Sequence, residues 1–518
     1  MGVYEDFSAG LNLQTSRLVA SQTKQGAGMR QATQALNVTL DEKGVRTALG
    51  YTRLLDAYLS ATIRGLHYYT KRGLTSGAVS NELMAIANGH VYTGNGTTWT
   101  SLAAVTDAPK TRFITFNGYC IFMNGVDPVK QYDGATVADV TFTDGATPTP
   151  GPSIIFPSDA RPKFVVEHRE RLFYMNDIKY PYRFFTPNAS THNVFGNNSD
   201  AVDVGIGDGD ALVGAASLKS GLLVLFKTKS IYVVSGSQPT DSATDPFIIT
   251  SYSTELGCIA PDTIVSIGAE VYFLSQRGYK KLSQTRLGDI VDADPLYPIK
   301  PLLDTIDPNR STLASATFNA IERCIYLQLP VNSTDWITIV YNVVTQGIMQ
   351  RTGFDISNQI YVHDTEQHLF SRFDTGASQF RVFKNGIGNT YDGTFFSSGW
   401  ECQLLATEEM NTRKFFGKFL AYVKTFNGTQ VRCGAHLVNV DGSVLTVYFD
   451  FGVSNAIDGW DIGLWDVSVW DSSIATVLRQ NRIGRGVAIS IFFSAAAGAA
   501  FSFDRIELEG IPKGTSRR

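Results

Sequence analysis

The chain has 518 residues, of which 43% are hydrophobic, 12% aromatic and only 18% charged, and its formal net charge is −4. A chain of this length holds two or three domains, or one large repeat architecture with an appendage. The slight negative charge excludes a strongly basic surface, and with it tight binding of nucleic acid through counterion release. A surface of neutral polar side chains favours β structure and large permanent interfaces, because few charges are desolvated when subunits pack.

The first 55 residues are polar, rich in Gln and Thr, and weakly patterned. They lack the apolar periodicity from which a domain core is built. We therefore expect an extended N-terminal segment over residues 1–55 that lies along the rest of the chain or along a neighbouring molecule.

Residues 56–399 repeat a unit of one apolar strand, a short polar or Gly-containing turn, and a second apolar strand. The clearest copy joins residues 112–116 to residues 119–123 through Asn117 and Gly118, a dipeptide typical of tight hairpins. In six successive copies the second strands are spaced by 52, 51, 49, 52 and 45 residues, beginning at Tyr119, Arg171, Leu222, Val271, Arg323 and His368. A unit of about 50 residues with four short strands is typical of one blade of a β-propeller.

An earlier and shorter unit covers residues 63–102. The sequence therefore predicts an all-β, multi-bladed propeller over residues 56–399, with about seven blades, or six if the first unit only completes the last. A short helix is expected at residues 298–306, where Pro, Leu and Lys follow helical spacing.

From residue 400 the repeat is lost. Alternating apolar runs at residues 415–426, 431–440, 444–451 and 501–508 predict a separate β-sandwich-like domain over residues 400–518. The uncharged stretch 487–503 is short for a bilayer and has a small-residue turn at its middle, so a β-hairpin is predicted there and no membrane span.

One glycine-rich motif, at residues 205–210, invites a ligand-binding interpretation. It precedes a predicted strand rather than a helix, which excludes a dinucleotide-binding loop. Asp203, Asp208 and Asp210 could gather a calcium ion, but no Glu closes a twelve-residue loop. A Gly-rich turn between blades is the favoured interpretation.

The seven histidines and five cysteines form no metal-binding pattern. The histidines include no HExxH sequence, and the cysteines no CxxC pair, so the cysteines are predicted to be reduced and buried. His363, Asp364 and His368 lie close in sequence, but they flank a predicted hairpin turn where exposed polar residues are ordinary. We expect no catalytic residue, no metal and no cofactor.

Trp-Asp pairs begin at Trp460, Trp465 and Trp470. Their spacing of five residues differs from the period of about 40–45 in the Trp-Asp propeller repeat. Aromatic anchors on a strand-turn segment are one interpretation, and an interface or glycan-stacking patch is the other.

Turn and blade-edge motifs recur along most of the chain. They comprise Asn37 with residues 44–47 and 50–51, then residues 63–66, 116–119, 124–130, 167–173, 204–210, 255–261 and 299–302. In these motifs the chain resembles the β-propeller tail proteins of tailed bacteriophages, which include the nozzle or tail tubular protein B of short-tailed phages and the packaged-DNA stabilization proteins.

The resemblance implies a non-enzymatic structural virion protein, made in the host cytoplasm, that forms a ring in the tail. Such a ring is usually a homohexamer, contacts adjacent tail proteins such as the adaptor and fibres, and lets double-stranded DNA pass through its lumen without tight binding. The alternative is a receptor-binding tail protein, a host-surface glycan-binding or glycan-cleaving propeller, which needs aromatic platforms and, for cleavage, paired acids in a cleft.

Overall fold

The computed structural model describes residues 2–14, 30–41, 44–72, 79–94, 97–108, 110–144, 156–196, 200–219, 221–238, 244–284, 290–374, 378–406, 413–426, 431–449 and 476–512. Nearly all the regular structure in these ranges is β, as predicted. They contain no helix that is long and apolar enough to cross a membrane. The predicted helical stretch forms a 3₁₀ turn, Tyr297–Ile299, followed by one α-helical turn, α1 (Lys300–Leu303).

The N-terminal segment forms short strands that join sheets built from distant parts of the chain. These strands are β1 (Gly2–Tyr4), β2 (Gly10–Leu11), β3 (Gln31–Leu36), β4 (Val38–Asp41), β5 (Gly44–Thr47) and β6 (Tyr51–Arg53).

Five four-stranded antiparallel sheets follow, and each is one propeller blade. Blade 1 contains β7 (Gly65–Arg72), β8 (Val79–Ala87), β9 (His90–Gly94) and β10 (Trp99–Ala104). Blade 2 contains β11 (Arg112–Phe116), β12 (Tyr119–Met123), β13 (Lys130–Tyr132) and β14 (Val137–Asp139). A small parallel ladder pairs β15 (Thr143–Asp144) with β19 (Val194–Phe195). Blade 3 contains β16 (Phe164–His168), β17 (Arg171–Met175), β18 (Arg183–Thr186) and β20 (Asp200–Asp203).

The next blades follow the same plan. Blade 4 contains β21 (Leu212–Ser217), β22 (Leu223–Lys227), β23 (Ile231–Ser235) and β24 (Ile248–Ser253). Blade 5 contains β25 (Ala260–Ile267), β26 (Glu270–Ser275), β27 (Gly278–Gln284) and β28 (Ile290–Ala293). Blade 6 contains β29 (Ser315–Asn319), β30 (Cys324–Val331), β31 (Asp335–Asn342) and β32 (Ile348–Arg351).

Blade 7 closes the ring with a strand from the chain's beginning. Its own strands are β33 (Ile356–Val362), β34 (Gln367–Asp374) and β35 (Gln379–Asn385), and β6 pairs antiparallel with β35 as the fourth. The innermost strands contact one another in sequence around the axis, and β33 contacts β7 again. The described residues therefore form seven blades, and the first unit is a blade in its own right rather than the completion of the last.

The Asn-Gly hairpin predicted in blade 2 is confirmed. Asn117 and Gly118 have φ of 49° and 78°, and Asn88 and Gly89 in blade 1 have φ of 49° and 68°. Two successive residues with positive φ give the tight turn whose twist matches that of the flanking strands. Asparagine and glycine adopt this conformation at least cost.

The C-terminal domain is a sandwich of two sheets. Before it, two short strands, β36 (Thr390–Tyr391) and β37 (Thr394–Phe395), extend the sheet of blade 7. The sandwich contains β38 (Ser398–Cys402), β39 (Leu405–Ala406), β40 (Lys414–Phe426), β41 (Val431–Val438), β42 (Val444–Phe449), β43 (Thr476–Gln480), β44 (Gly484–Gly486), β45 (Ala488–Ala495) and β46 (Ala500–Pro512). One sheet has the order β4-β5-β46-β40-β43, and the other continues from β32 of blade 6 through β2, β3, β38, β45 and β41 to β42. The domain predicted at residues 400–518 thus also uses N-terminal strands and shares a sheet with the propeller.

The hairpin predicted over residues 487–503 is wrong. β45 pairs with β38, β39 and β41, whereas β46 pairs with β1, β5 and β40. The small-residue turn therefore carries the chain from one sheet of the sandwich to the other. The physical reason is that the aromatic faces of the two strands pack against each other, with the Phe493 and Phe503 rings 4.3 Å apart.

Asn37 fastens the N-terminal segment to the junction of blades 6 and 7. Its φ is 51°, and its side chain is almost fully buried. The amide Nδ2 donates to Thr352 Oγ1 (2.7 Å) and to the Ser397 carbonyl (2.8 Å). The Oδ1 atom accepts from the Thr352 amide (2.9 Å) and the Tyr391 hydroxyl (3.1 Å).

Replacing Asn37 by alanine is expected to lower the free energy of unfolding by about 2–3 kcal/mol, because buried donors lose their acceptor and alanine disfavours positive φ. Urea unfolding followed by tryptophan fluorescence measures this. Asn88→Ala is the matched control, since Asn88 has a similar φ but is exposed. Equal losses in the two variants would show that the hydrogen bonds of Asn37 contribute nothing.

Candidate functional site

The propeller axis is closed at the end where the inner strands begin. Arg112, at the start of β11 in blade 2, crosses the axis to Asp262 on β25 in blade 5. The Nε–Oδ1 distance is 3.0 Å, the Nη2–Oδ2 distance is 3.2 Å, and Lys110 Nζ lies 3.5 Å from Oδ2. The Arg112 guanidinium also lies over the Phe164 ring, 4.0 Å from its centre. These residues border a cavity of about 270 Å³ to which blades 2 to 7 all contribute.

The charges at this end hold Asp262 ionised. Burial of its carboxyl would by itself raise the pKa, but the positive charges of Arg112 and Lys110 outweigh burial and lower it. The side chains of Arg112 and Asp262 are only 22% and 19% exposed. Water therefore screens the pair only partly.

At the opposite end, the axis opens into a cleft of about 1020 Å³. Residues of the inner strands β7, β11, β29 and β33, the turns after β11 and β33, and one residue after β13 form its wall. The lining residues are His67, Tyr68, Thr70, Thr115, Asn117, Gly118, Tyr119, Asp133, Thr317, Gln359, Ile360, Tyr361, Val362, His363 and Asp364. We refer to this feature as the axial cleft.

His67 lies deep in the axial cleft. Its Nε2 atom is 2.7 Å from Thr115 Oγ1, and its ring stacks on Phe113 at 5.5 Å. Burial lowers the pKa of His67 to about 4. The imidazole is therefore neutral at neutral pH and contributes no positive charge to the cleft.

Hydrogen bonds between blades fix the rim of the axial cleft. Thr70 Oγ1 of blade 1 donates to Asp364 Oδ2 of blade 7 over 2.8 Å. The Tyr69 hydroxyl donates to the Gly118 carbonyl of blade 2 over 2.5 Å. These bonds tie three blades together at the rim, so the rim is organised without a ligand.

The Gly-rich motif at residues 205–210 surrounds a lysine of this chain. Lys227 Nζ is fully buried and lies 2.6 and 2.8 Å from the carboxylate oxygens of Asp208. Asp203 pairs with Arg183, at 2.5 Å between Arg183 Nε and Oδ1. Asp210 accepts from the Thr228 hydroxyl at 2.6 Å. The ammonium of Lys227 thus occupies the place beside Asp208 that a calcium ion would need. The Asp208 carboxylate is therefore not free to act as a negative ligand of the ion.

The structure separates the histidines that lie close in sequence. His363 and Asp364 are exposed at the turn after β33, as predicted. His368 is not exposed: it is buried on β34 with its ring 4.6 Å from that of Tyr326, and burial lowers its pKa to about 3. β34 is covered on both faces here, with residues 368–371 all buried, so the second residue of the strand is already enclosed.

The remaining motifs give no site in the described residues. All five cysteines are free and buried, as predicted. The part of the chain that the structure describes contains no group of three or more His, Cys, Asp and Glu side chains that could hold a metal ion. The Trp-Asp pairs at Trp460, Trp465 and Trp470 lie outside the described residues.

Sequence reasoning missed the axial cleft. Its residues come from blades that are far apart in sequence, and each looks like an ordinary strand end. A usable signal exists in the repeat itself, because Asn117 and Tyr361 lie at the end of an inner strand or in the turn after it, although Tyr68 lies in the middle of β7. Aligning the strand ends of the seven units would have gathered these aromatic and polar side chains.

No protein-family model matches this chain. No curated protein matches its sequence. Solved structures that are similar include BBS1N in complex with ARL6DN, with a TM-score of 0.41 and 11% identity, covering 66% of this chain and 98% of that chain. PorZ, a surface component of the type-IX secretion system of Porphyromonas gingivalis, has a TM-score of 0.36 and 10% identity, covering 71% of this chain and 44% of its own. The extracellular domain of a hybrid two component system from B. thetaiotaomicron has a TM-score of 0.38 and 9% identity, with 78% and 48% covered.

Proposed function

We propose that this chain is a structural protein of a bacteriophage tail that assembles into a closed ring, a homohexamer, around the path by which DNA leaves the capsid. The resemblance of its turn and blade-edge motifs to the tail propeller proteins suggests this role. The observation that supports it most strongly is an exposed apolar strand, β42, at the end of the sheet that runs from the propeller into the sandwich.

β42 has the properties of an assembly edge. It is the terminal strand of its sheet, and within the described ranges its outer side has no strand partner. Val444, Leu445 and Tyr448 on this strand are 55%, 54% and 58% exposed. An unpaired edge with apolar side chains pairs readily with another chain. We assign that place to a second copy of this protein.

The sheet also gives such a contact a fixed direction. β42 is hydrogen-bonded through β41, β45, β38, β3 and β2 to β32 of blade 6, so a partner at β42 is held relative to the whole propeller. A ring closes only when one heterologous contact repeats at a constant angle. A rigid connection between the interface and the body of the subunit favours that outcome.

In this proposal DNA passes through the lumen that the ring of subunits encloses, and not along the axis of a single propeller. The Arg112–Asp262 pair crosses the propeller axis, which leaves the lumen of the ring as the route. The net charge of −4 fits a lumen that DNA crosses without being gripped, since each unpaired Lys or Arg on a phosphate would add salt-dependent affinity. Adjacent tail proteins, the adaptor and the fibres, would bind the two faces of the ring.

The test is the mass of the protein when assembled with its tail neighbours, measured by native mass spectrometry, together with imaging of the assembly. We expect six copies and a lumen wide enough for a DNA duplex. Val444→Lys should abolish the ring, because it places a charge in the interface. Ile248→Lys is the matched control, since Ile248 is 58% exposed on β24, the outer strand of blade 4.

A protein that is monomeric in the assembled tail would overturn the proposal, as would a lumen lined mainly by Lys and Arg. Normal rings from Val444→Lys would exclude β42 as the interface.

A further inference from the structure

We propose that the axial cleft is a binding site for a neutral oligosaccharide. This goes beyond the structural role, and it rests on the size, the side-chain chemistry and the charge of the cleft.

The cleft is a dead end rather than a passage. The Arg112–Asp262 pair and Lys110 close the axis at the far end, and Gln359 borders both the cleft and the cavity beside that pair. A molecule that enters the cleft therefore meets a floor at that pair. A volume of about 1020 Å³ lies at the upper end of the range of small-molecule sites, which suits several sugar rings better than one.

Three tyrosines provide the apolar contacts that sugar rings need. Tyr68, Tyr119 and Tyr361 come from three different blades and are partly exposed at the cleft. An aromatic ring packs against the C–H face of a sugar, and the tyrosine hydroxyl can bond to the sugar's rim. Platforms on separate blades can engage successive residues of a chain.

The polar groups of the cleft match sugar hydroxyls. The Gln359 side chain is already hydrogen-bonded inside the protein, whereas Thr115 Oγ1 and Asn117 Oδ1 keep lone pairs for sugar hydroxyls. The Asp364 carboxylate accepts one bond from Thr70 and has further lone pairs for hydroxyl donors. Because Thr70 already holds this carboxylate, less freedom is lost when a ligand binds.

The charge of the cleft selects against anions. Its lining residues, all of them within the described part of the chain, include two aspartates and no Lys or Arg, and His67 is neutral at neutral pH. A phosphate, a sialylated glycan or a nucleic acid would find no lysine or arginine among these lining residues. A neutral glycan needs none.

The experiment first applies the purified full chain, labelled with a fluorophore, to a printed array of neutral, acidic and amino glycans. Calorimetry then measures the affinity for the neutral oligosaccharide that binds best. Binding to neutral glycans is expected. Tyr119→Ala and Tyr361→Ala should each weaken it about tenfold or more, as for a central aromatic contact. The corresponding Tyr→Phe variants keep the platform and should retain most of the affinity.

Tyr297→Ala is the matched control, because Tyr297 is 55% exposed and lies outside the cleft, on the 3₁₀ turn before α1. Far-ultraviolet circular dichroism identifies any variant that fails to fold, and Tyr→Leu, which fills the same space without an aromatic face, then takes its place with the same expected loss of affinity. Binding to no glycan, binding only to acidic or amino glycans, or unchanged affinity in both Tyr→Ala variants would overturn the proposal. Release of new reducing ends from the bound oligosaccharide would show an enzyme and overturn it as well. The assay needs no ring, so its failure is distinct from failure of the proposed assembly.

Discussion

Replacing Asp262 by asparagine is expected to lower the free energy of unfolding by about 3 kcal/mol, the low end of the range for breaking a buried ion pair. The variant keeps the shape of the side chain but removes the charge between Arg112 and Lys110. Two cations from the start of blade 2, Arg112 and Lys110, then converge on blade 5 with no anion between them. The attraction that joins blades 2 and 5 across the axis is lost and the two cations repel each other, so the ring of blades as a whole is destabilised.

Two further variants separate charge from shape in this prediction. Arg112→Met should cost only about 1 kcal/mol, because Lys110 Nζ remains 3.5 Å from the carboxylate. Glu255→Gln removes a pair with Arg277 whose side chains are 76% and 63% exposed, and should cost between about 0 and 1 kcal/mol. Urea unfolding of the three variants measures these differences. Equal losses in Asp262→Asn and Glu255→Gln would show that the axial pair does not stabilise the propeller.

The same pair predicts a pH dependence. The pKa of Asp262 is lowered in the folded protein, so its contribution to stability is present above the ordinary aspartate pKa and is lost as the pH falls through the lowered value. The difference between the wild-type protein and Asp262→Asn should therefore shrink in acid. A difference that stays constant from neutral to acidic pH would contradict this.

The blades could be predicted from sequence because their signals are local. An apolar strand, an Asn-Gly turn and a second apolar strand lie within a dozen residues, and the period of about 50 repeats them. The closure of the ring could not be predicted in this way. β6 has three residues and pairs with β35 more than 300 positions later, with Tyr51 opposite Asn385. So short a strand has no periodicity of its own.

The sandwich shows the same limit. The apolar runs that form β40, β41 and β46 are visible in sequence, but their sheet assignment depends on packing across the sandwich. β45 and β46 are joined by a turn that reads as a hairpin, yet Phe493 and Phe503 place them in facing sheets. The axial cleft is similar, since its tyrosines become neighbours only after seven blades have closed around one axis.

The glycine-rich motif of blade 4 leads to the second large expected effect. Asp208→Ala should lower the free energy of unfolding by about 3 kcal/mol, because it leaves the buried ammonium of Lys227 without its carboxylate. After the change, the contacts that Lys227 Nζ keeps within the described residues are the Gly205 carbonyl at 3.2 Å and the Tyr232 ring at 5.6 Å. Asp208 is one-third exposed, so water can reach the space that its carboxylate leaves. We therefore expect a loss of stability near the low end of the range for breaking a buried ion pair.

Removing the other partner should have a smaller effect. Lys227→Met takes away the buried charge and keeps an apolar stem, while Asp208 can turn to solvent, so we expect a loss of about 1 kcal/mol. The double variant should recover most of the stability that Asp208→Ala loses, since no unpaired charge remains. Urea unfolding with and without added calcium measures all three and tests the metal-binding alternative directly. The contrary result is that calcium stabilises the wild-type protein and has no effect on Asp208→Ala. That result would show that the loop binds the ion and that the pair between Asp208 and Lys227 is not the normal state of the loop.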